Sequence, residues 1–253
     1  MNSLPVAIQV YSVRDLAEKD FIGTMKQIKE MGYQGVELAG LYGQKPELVK
    51  QILEEIGLTI VSAHVPYEEL IGDLDKTLHQ YEILNCPYIV IPYLSIEKRY
   101  GTEEYASVLT NIKKIADACK KRGISLSYHN HDFEFEKTEK GTYVLDELLG
   151  SFEPDELYFE PDTCWIKVAG EDPKSYLERY HGRCPLVHLK DFQRNNRGEI
   201  ELVSLGDGVQ QAKELIQKAA ESGAKWLIVE QDDHPYNSAM ENMKRSVEFI
   251  QKN

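Results

Sequence analysis

The chain has 253 residues, with 29 Lys and Arg against 42 Asp and Glu, a formal net charge of −13. That length suits one large α/β domain spanning residues 1–253, and 42% hydrophobic residues are too many for a disordered chain. The acid excess argues against a surface built for nucleic acid, and no run approaches the roughly 20 apolar residues of a membrane span.

Met1-Asn2-Ser3-Leu4-Pro5 has neither a basic nor an apolar leader region, so no signal peptide is expected. The cysteines (Cys86, Cys119, Cys164, Cys184) lie far apart without a Cys-x-x-Cys pair. They read as small buried hydrophobes in a reducing compartment, the cytoplasm.

From the N-terminus onward, short β-branched or aromatic runs alternate with longer amphipathic stretches. The expected strands are Val6–Val10, Gly35–Leu38, Thr59–Ala63, Tyr88–Ile91, Ser125–His129, Leu157–Glu160, Leu186–Leu189 and Trp226–Val229. Helical stripes between them include Phe21-Ile22, Met25, Ile28, Met31; then Leu48, Ile52, Ile56; then Val108, Ile112, Ile115, Cys119; then Leu215-Ile216, Ala219. Several end alike, at Gly32, Gly57, Gly123 and Gly223, each two or three residues before the next expected strand. Eight β–α alternations with short αβ loops predict a (β/α)8 barrel. An open doubly wound sheet is disfavoured, because no Gly-x-Gly-x-x-Gly or Walker motif follows a strand. Phe192–Gly208 lacks periodicity and is expected to be a lid or active-site loop.

Barrel chemistry sits at the C-terminal ends of the strands. The third strand ends in His64, the fifth in His129-Asn130-His131 followed by Glu134, and the sixth in Glu160-Pro161-Asp162. The seventh ends in His188-Leu189-Lys190-Asp191 and the eighth in Glu230-Gln231-Asp232. Strand alternation puts Ser127, His129 and His131 on one face, with Leu126 and Tyr128 on the other. Neutral imidazoles with carboxylates suit a divalent metal. Singly, each has a plainer reading: a strand-end histidine as a hydrogen bonder, and Asp162 or Asp191 as the N-cap of the next helix.

At these residues the chain resembles the xylose-isomerase-like, endonuclease-IV-like superfamily of TIM barrels. The marks are Asp162-Thr163-Cys164-Trp165 with Ala169-Gly170, then Val187-His188-Leu189-Lys190-Asp191, then Val229-Glu230-Gln231-Asp232. Ile8–Arg14 and Gly32–Leu38 look like its first two strands. His129-Asn130-His131 and Gly170-Glu171-Asp172-Pro173 look closest to the branch that holds inosose dehydratase and related keto-sugar enzymes. The resemblance implies one divalent metal (Mn, Co, Zn or Mg) on residues from strands five to eight, here His129, Asp162, His188 and Glu230. His129 stands where the family usually has Glu, with His131 and Glu134 as competitors for that position. Trp165 replaces a histidine of the DNA-repair relatives and the fourth strand lacks one, which disfavours the multi-metal nuclease branch.

The implied chemistry is isomerisation or epimerisation of a keto-sugar, by proton removal beside a carbonyl through an enediolate. Dehydration of an inosose or 3-keto-glycoside is the alternative; a phosphodiesterase or a non-catalytic sugar-binding barrel stands further off. His131, Glu160 and Glu134 are the expected proton-transfer groups. His64 and Lys190 are expected to contact substrate oxygens, Trp165 and Tyr11 to wall the sugar ring, and Asp191 to orient Lys190 or a ligand. The expected partner is a small sugar or cyclitol, with no nucleic acid and no membrane; a homo-oligomer is left open.

Overall fold

The computed structural model describes residues 4–252, so the Met1–Ser3 part of the leader reading lies outside the described residues. Seven parallel strands come first: β1 (Val6–Gln9), β2 (Gly35–Ala39), β3 (Thr59–His64), β4 (Tyr88–Ile91), β5 (Ser125–His129), β6 (Tyr158–Glu160) and β7 (Leu186–Leu189). A hairpin of β8 (Asp191–Arg194) and β9 (Ile200–Val203) follows, and β10 (Trp226–Val229) completes the parallel set. The order β6-β5-β4-β3-β2-β1-β10-β7 is a (β/α)8 barrel with helices outside. Two of the expected helix ends show how the chain returns to the sheet: Gly32 and Gly57 cap their helices at φ 103 and 79, a left-handed region that glycine enters without a Cβ penalty.

Alternation along each strand sorts the side chains. Ile8, Val36, Leu38, Ile89, Ile91, Leu126, Tyr128, Phe159, Val187, Leu189, Leu227 and Val229 pack outward into the main apolar core. Ala7, Val61, Tyr88, Val90, Leu186 and Ile228 form a separate apolar plug inside the barrel. Above this floor the interior turns polar, with Gln9, Glu37, Ser62, Ser127, His129, Glu160, Asp162 and His188 all buried.

One irregularity aims the third strand. Val36 pairs with Ile60, but Glu37 pairs with Ser62, so β3 carries an extra residue at Val61. Without that bulge, an inward Val61 would turn Ser62 and His64 out to the helices. With it, Val61 joins the plug while Ser62 and His64 both reach the polar interior. Gly35, beside it, has no room for a side chain: a Cβ there would lie 2.6 Å from Val61 Cγ2 and 2.9 Å from the Thr59 carbonyl oxygen.

The barrel closes between β6 and β7 through a single parallel bridge, Asp162 with His188. The His188 N–H donates to the Pro161 carbonyl at 3.0 Å, and the Thr163 hydroxyl donates to the His188 carbonyl at 2.9 Å. Two residues expected to bind metal are thus also the closing seam. The segment expected as a loop, Phe192–Gly208, is instead partly an antiparallel hairpin, because Phe192 and Leu202 bury together against Cys164. All four cysteines are free and buried. No helix among the described residues is long and apolar enough to cross a membrane.

Arg183 holds the lower end of the seam. Its guanidinium donates to the carbonyls of Leu157 (2.8 Å), Leu149 (2.8 Å) and Phe152 (3.2 Å), and its own carbonyl accepts from the Phe159 N–H. Arg183→Met should therefore cost about 2–4 kcal/mol, by stranding buried carbonyls. The check is the urea midpoint, which should fall at an unchanged m-value.

Candidate metal centre

The polar interior is built in two tiers joined by two histidines. In the lower tier Glu37 receives the Gln9 amide (2.8 Å) and the Ser62 hydroxyl (2.6 Å), and its Oε1 lies 3.0 Å from His64 Nε2 and 2.7 Å from His188 Nε2. Glu160 Oε2 lies 2.8 Å from His64 Nε2, 3.1 Å from His129 Nδ1 and 3.2 Å from His188 Nε2. In the upper tier the other nitrogens of the same two rings face carboxylates: His188 Nδ1 is 2.9 Å from Glu230 Oε2, and His129 Nε2 is 3.6 Å from Asp162 Oδ2. Lys190 Nζ sits beside Asp162 (3.0 Å), Glu230 (2.8 Å) and Asp232 (2.9 Å).

Asp162 carries both of its sequence readings at once. Its Oδ1 accepts from the N–H groups of Cys164 and Trp165 and so caps the helix Thr163–Val168. Its Oδ2 is buried without a hydrogen-bond partner apart from the Lys190 ion pair and faces the cluster. Donor atoms of His129, Asp162, His188 and Glu230 lie within 4.8 Å of one another, and so do those of His64, His129, Glu160 and His188. The chemistry of the upper set, two imidazoles and two carboxylates with one orphaned oxygen, fits a divalent ion. The lower carboxylates then act as anchors: Glu37 and Glu160 each hold the far nitrogen of a ligand imidazole, which fixes its tautomer and ring orientation.

Burial and neighbours set the charges. Burial opposes protonation of His64 and His188, yet Glu37 and Glu160 hold both rings charged, His64 at about 10. Burial would raise the Glu37 carboxyl, but His64 and His188 hold it well below the usual carboxylate range. Burial and then the adjacent Glu37 push Glu160 up. His129 is driven well down by burial and the neighbouring cations, and His131 to about 3 by burial and Lys190. Burial lifts Asp232 to about 6 against the pull of Lys190. Because imidazole ligands bind unprotonated, ion binding here must release protons.

Above the upper tier opens a cavity of about 580 Å³, with Tyr11, His64, Tyr93, His129, His131, Lys190, Glu230 and Asp232 on its wall. That volume is ordinary for a small-molecule site. The His131 ring stacks on Trp165 at 5.8 Å, and neither His131 Nδ1 nor Trp165 Nε1 has a hydrogen-bond partner. Tyr11 stands at the mouth, 43% exposed, with Arg14 over its ring. Two residues expected to move protons lie off the cavity wall. Glu160 is beneath it in the lower tier, and Glu134 accepts from the Tyr128 hydroxyl (2.7 Å) and the His131 N–H (2.8 Å) against a small separate hollow. Asp191 does not touch Lys190; its carboxylate gathers the backbone N–H groups of Phe192, Gly206, Gly208 and Gln210.

Sequence reading passed over Glu37 and gave Asp232 no role. Parity on β2 marks Glu37: Val36 and Leu38 point outward to the helices, so the acid between them must point inward.

A family model described as Xylose isomerase-like TIM barrel matches residues 25–253. The chain belongs to the xylose isomerase-like TIM barrel family. It is 24% identical to an inosose dehydratase of Lacticaseibacillus casei, a match covering 86% of this chain and 84% of that protein. A sugar phosphate isomerase/epimerase structure from Parabacteroides distasonis ATCC 8503 superposes with a TM-score of 0.84 at 22% identity, covering 99% and 98% of the two chains. The IOLI protein, solved with a bound zinc atom, superposes at 0.77 with 13% identity over 98% and 99%. At such identities the structural likeness establishes this family's barrel and leaves the specific reaction to the site.

The anchoring geometry makes a prediction. Glu37→Gln keeps the shape but removes the charge that holds His188 Nε2, so affinity for Mn²⁺ or Zn²⁺ should fall about 10- to 100-fold. Competition with a chromogenic chelator measures it, and circular dichroism should report an intact fold.

Proposed function

We propose that this protein is a divalent-metal-dependent enzyme that takes a proton from the carbon beside the carbonyl of a keto-sugar or keto-cyclitol and returns it, giving an isomer or epimer. The observation that carries this reading is the meeting, at the floor of one cavity, of the His129, Asp162, His188, Glu230 donor set with proton-transfer groups on the wall. A divalent ion on those four residues, Mn²⁺, Co²⁺, Zn²⁺ or Mg²⁺, would supply the Lewis acidity that polarises the carbonyl and acidifies the neighbouring C–H.

The chain's own groups do the rest. His131 lies on the cavity wall and its Nδ1 has no hydrogen-bond partner, so that nitrogen is placed to accept the proton. The Lys190 ammonium, on the cavity wall, offsets negative charge as it develops on the substrate oxygens. His64 reaches the same floor and contacts substrate hydroxyls. Tyr11 at the mouth provides an apolar face for the carbon skeleton, while Trp165, which is off the cavity wall, backs the His131 ring. Glu160 and Glu134 serve from outside the wall: Glu160 orients His129, and Glu134 holds the His131 backbone.

Dehydration is the second reading, and Asp232 favours it. Its carboxyl, lifted to about 6, lines the cavity and can give a proton to a departing hydroxyl. Relatives bearing the name inosose dehydratase support this outcome, and the neighbour titled a sugar phosphate isomerase/epimerase supports the first. Both begin with the same proton removal.

Elemental analysis should find about one divalent ion per chain, and near none in Asp162→Ala. Equal, near-zero metal in both proteins would sink the site. With keto-sugars and inososes in D₂O, NMR should show deuterium appearing beside the carbonyl. His131→Gln should slow that exchange by roughly 10²- to 10⁴-fold while retaining metal; unchanged exchange would remove His131 from the role. A product lacking one water decides for the lyase.

A further inference from the structure

The chain after β10 serves two faces of the barrel. Glu230 and Asp232 line the cavity above the donor set, while Gln231 between them turns the other way, onto a second pocket of about 210 Å³. That pocket lies between the β8–β9 hairpin and the helix Ala239–Lys252, and it shares no lining residue with the first. Ser204, Gln231 and Asn242 on its wall are each 2% exposed. Hairpin and helix are tied together around it: the Ser204 hydroxyl donates to Asn242 Oδ1 at 3.0 Å, and the Leu205 N–H donates to Ser246 Oγ at 3.0 Å.

Hydrogen bonding leaves this wall rich in spare acceptors. Gln231 Nε2 donates to the carbonyls of Asp233 at 2.7 Å and Leu202 at 3.4 Å. Two carbonyl partners fix which end of the amide is the nitrogen, and the other end, Oε1, is buried without a hydrogen-bond partner. The amide nitrogen of Asn237 is likewise engaged by Asn242 Oδ1 at 3.1 Å, and that of Gln193 by the Tyr236 hydroxyl at 3.1 Å. No donor among the described residues reaches the amide oxygen of either. Charge on the wall is balanced, because Arg245 Nη2 donates to Asp207 Oδ2 at 2.6 Å.

The chemistry of an occupant follows. Buried amide oxygens ask for donors, and several of them ask for a ligand with several. A paired Arg245 and Asp207 offer no net charge to neutralise, and a lone cation would face the guanidinium and leave most of the volume empty. Leu202, Val203 and the Tyr236 ring supply apolar contact for the C–H face of a small ring. The volume is below that of a drug-sized site.

We infer that this pocket is a second binding site, separate from the metal centre, for one small uncharged polyol of monosaccharide or cyclitol size.

Water is the rival occupant, and binding decides between them. The probes are myo-inositol and a methyl glucoside, which carry no carbonyl and so are not turned over under the proposed reaction. Titrated by saturation-transfer NMR against the purified protein, at least one should bind saturably. Asn237 and Glu69 are both exposed, the first on the wall of this pocket and the second on that of the other cavity. Asn237→Trp, whose indole fills the pocket, should weaken binding at least about 10-fold. Glu69→Trp, which crowds the other cavity, should leave it within about 2-fold. Circular dichroism checks that both variants fold; if Asn237→Trp does not, Tyr236→Ala takes its place and should weaken binding about 3-fold or more. No saturable binding to the wild type leaves water as the occupant and overturns the inference. Binding that survives unchanged in Asn237→Trp, or that Glu69→Trp abolishes, overturns it as well.

Discussion

The structure depends on a concentration of ionisable groups that water cannot reach. Glu37, Glu160 and Asp162 are fully buried, Glu230 is 5% exposed, and Lys190 is 2% exposed among them. Isolated charges at such depth cost many kcal/mol each, so they persist only in mutual contact or around a cation. The barrel solves this by stacking two tiers of carboxylates and threading two imidazoles through both. Each ring of His129 and His188 has one nitrogen in each tier, so neither tier can move without the other. The protons on His64 and His188 and the ammonium of Lys190 balance the acids here. A divalent ion would balance them instead, and the proton count of the interior would change with it.

The same residues close the barrel. β6 is three residues long, and its pairing with β7 is the bridge of Asp162 with His188. Where the other strand pairs share two to five paired residues, this seam is held by the backbone of two site residues, the Thr163 hydroxyl and Arg183. Geometry at the donor set and integrity of the fold are therefore coupled. Natural sites often hold conformations that a purely stabilising sequence would avoid, and this seam is where the present chain carries that burden.

How far the sequence discloses this can be followed residue by residue. The eight barrel strands were legible because their apolar runs face helices on one side and a packed interior on the other. The tier of rim histidines and acids was legible because strand ends are punctuated by turns. Three features were hidden. Glu37 lies mid-strand in a run that otherwise reads as core, and only parity reveals it. The bulge at Val61 carries no residue signature, yet it decides whether His64 faces the cavity or the helices. The β8–β9 hairpin was hidden because its alternation is weak and its stability comes from burying Phe192 and Leu202 against Cys164, a contact far apart in sequence.

Carboxylates in this protein divide their two oxygens between architecture and chemistry, and that division explains why single-residue readings compete so evenly. Asp162 caps a helix with one oxygen and turns the other, without a hydrogen bond, toward the donor set. Glu37 takes a serine hydroxyl on one oxygen and steadies His64 and His188 with the other. Asp191 is the limiting case, both oxygens spent on backbone amides and none left for the cavity. It follows that an acid at a strand end declares its role only through the partner of its second oxygen. That partner is supplied by a different strand, which is why the fold, and not the motif, separates the acid that can hold a metal from the acid that holds a loop.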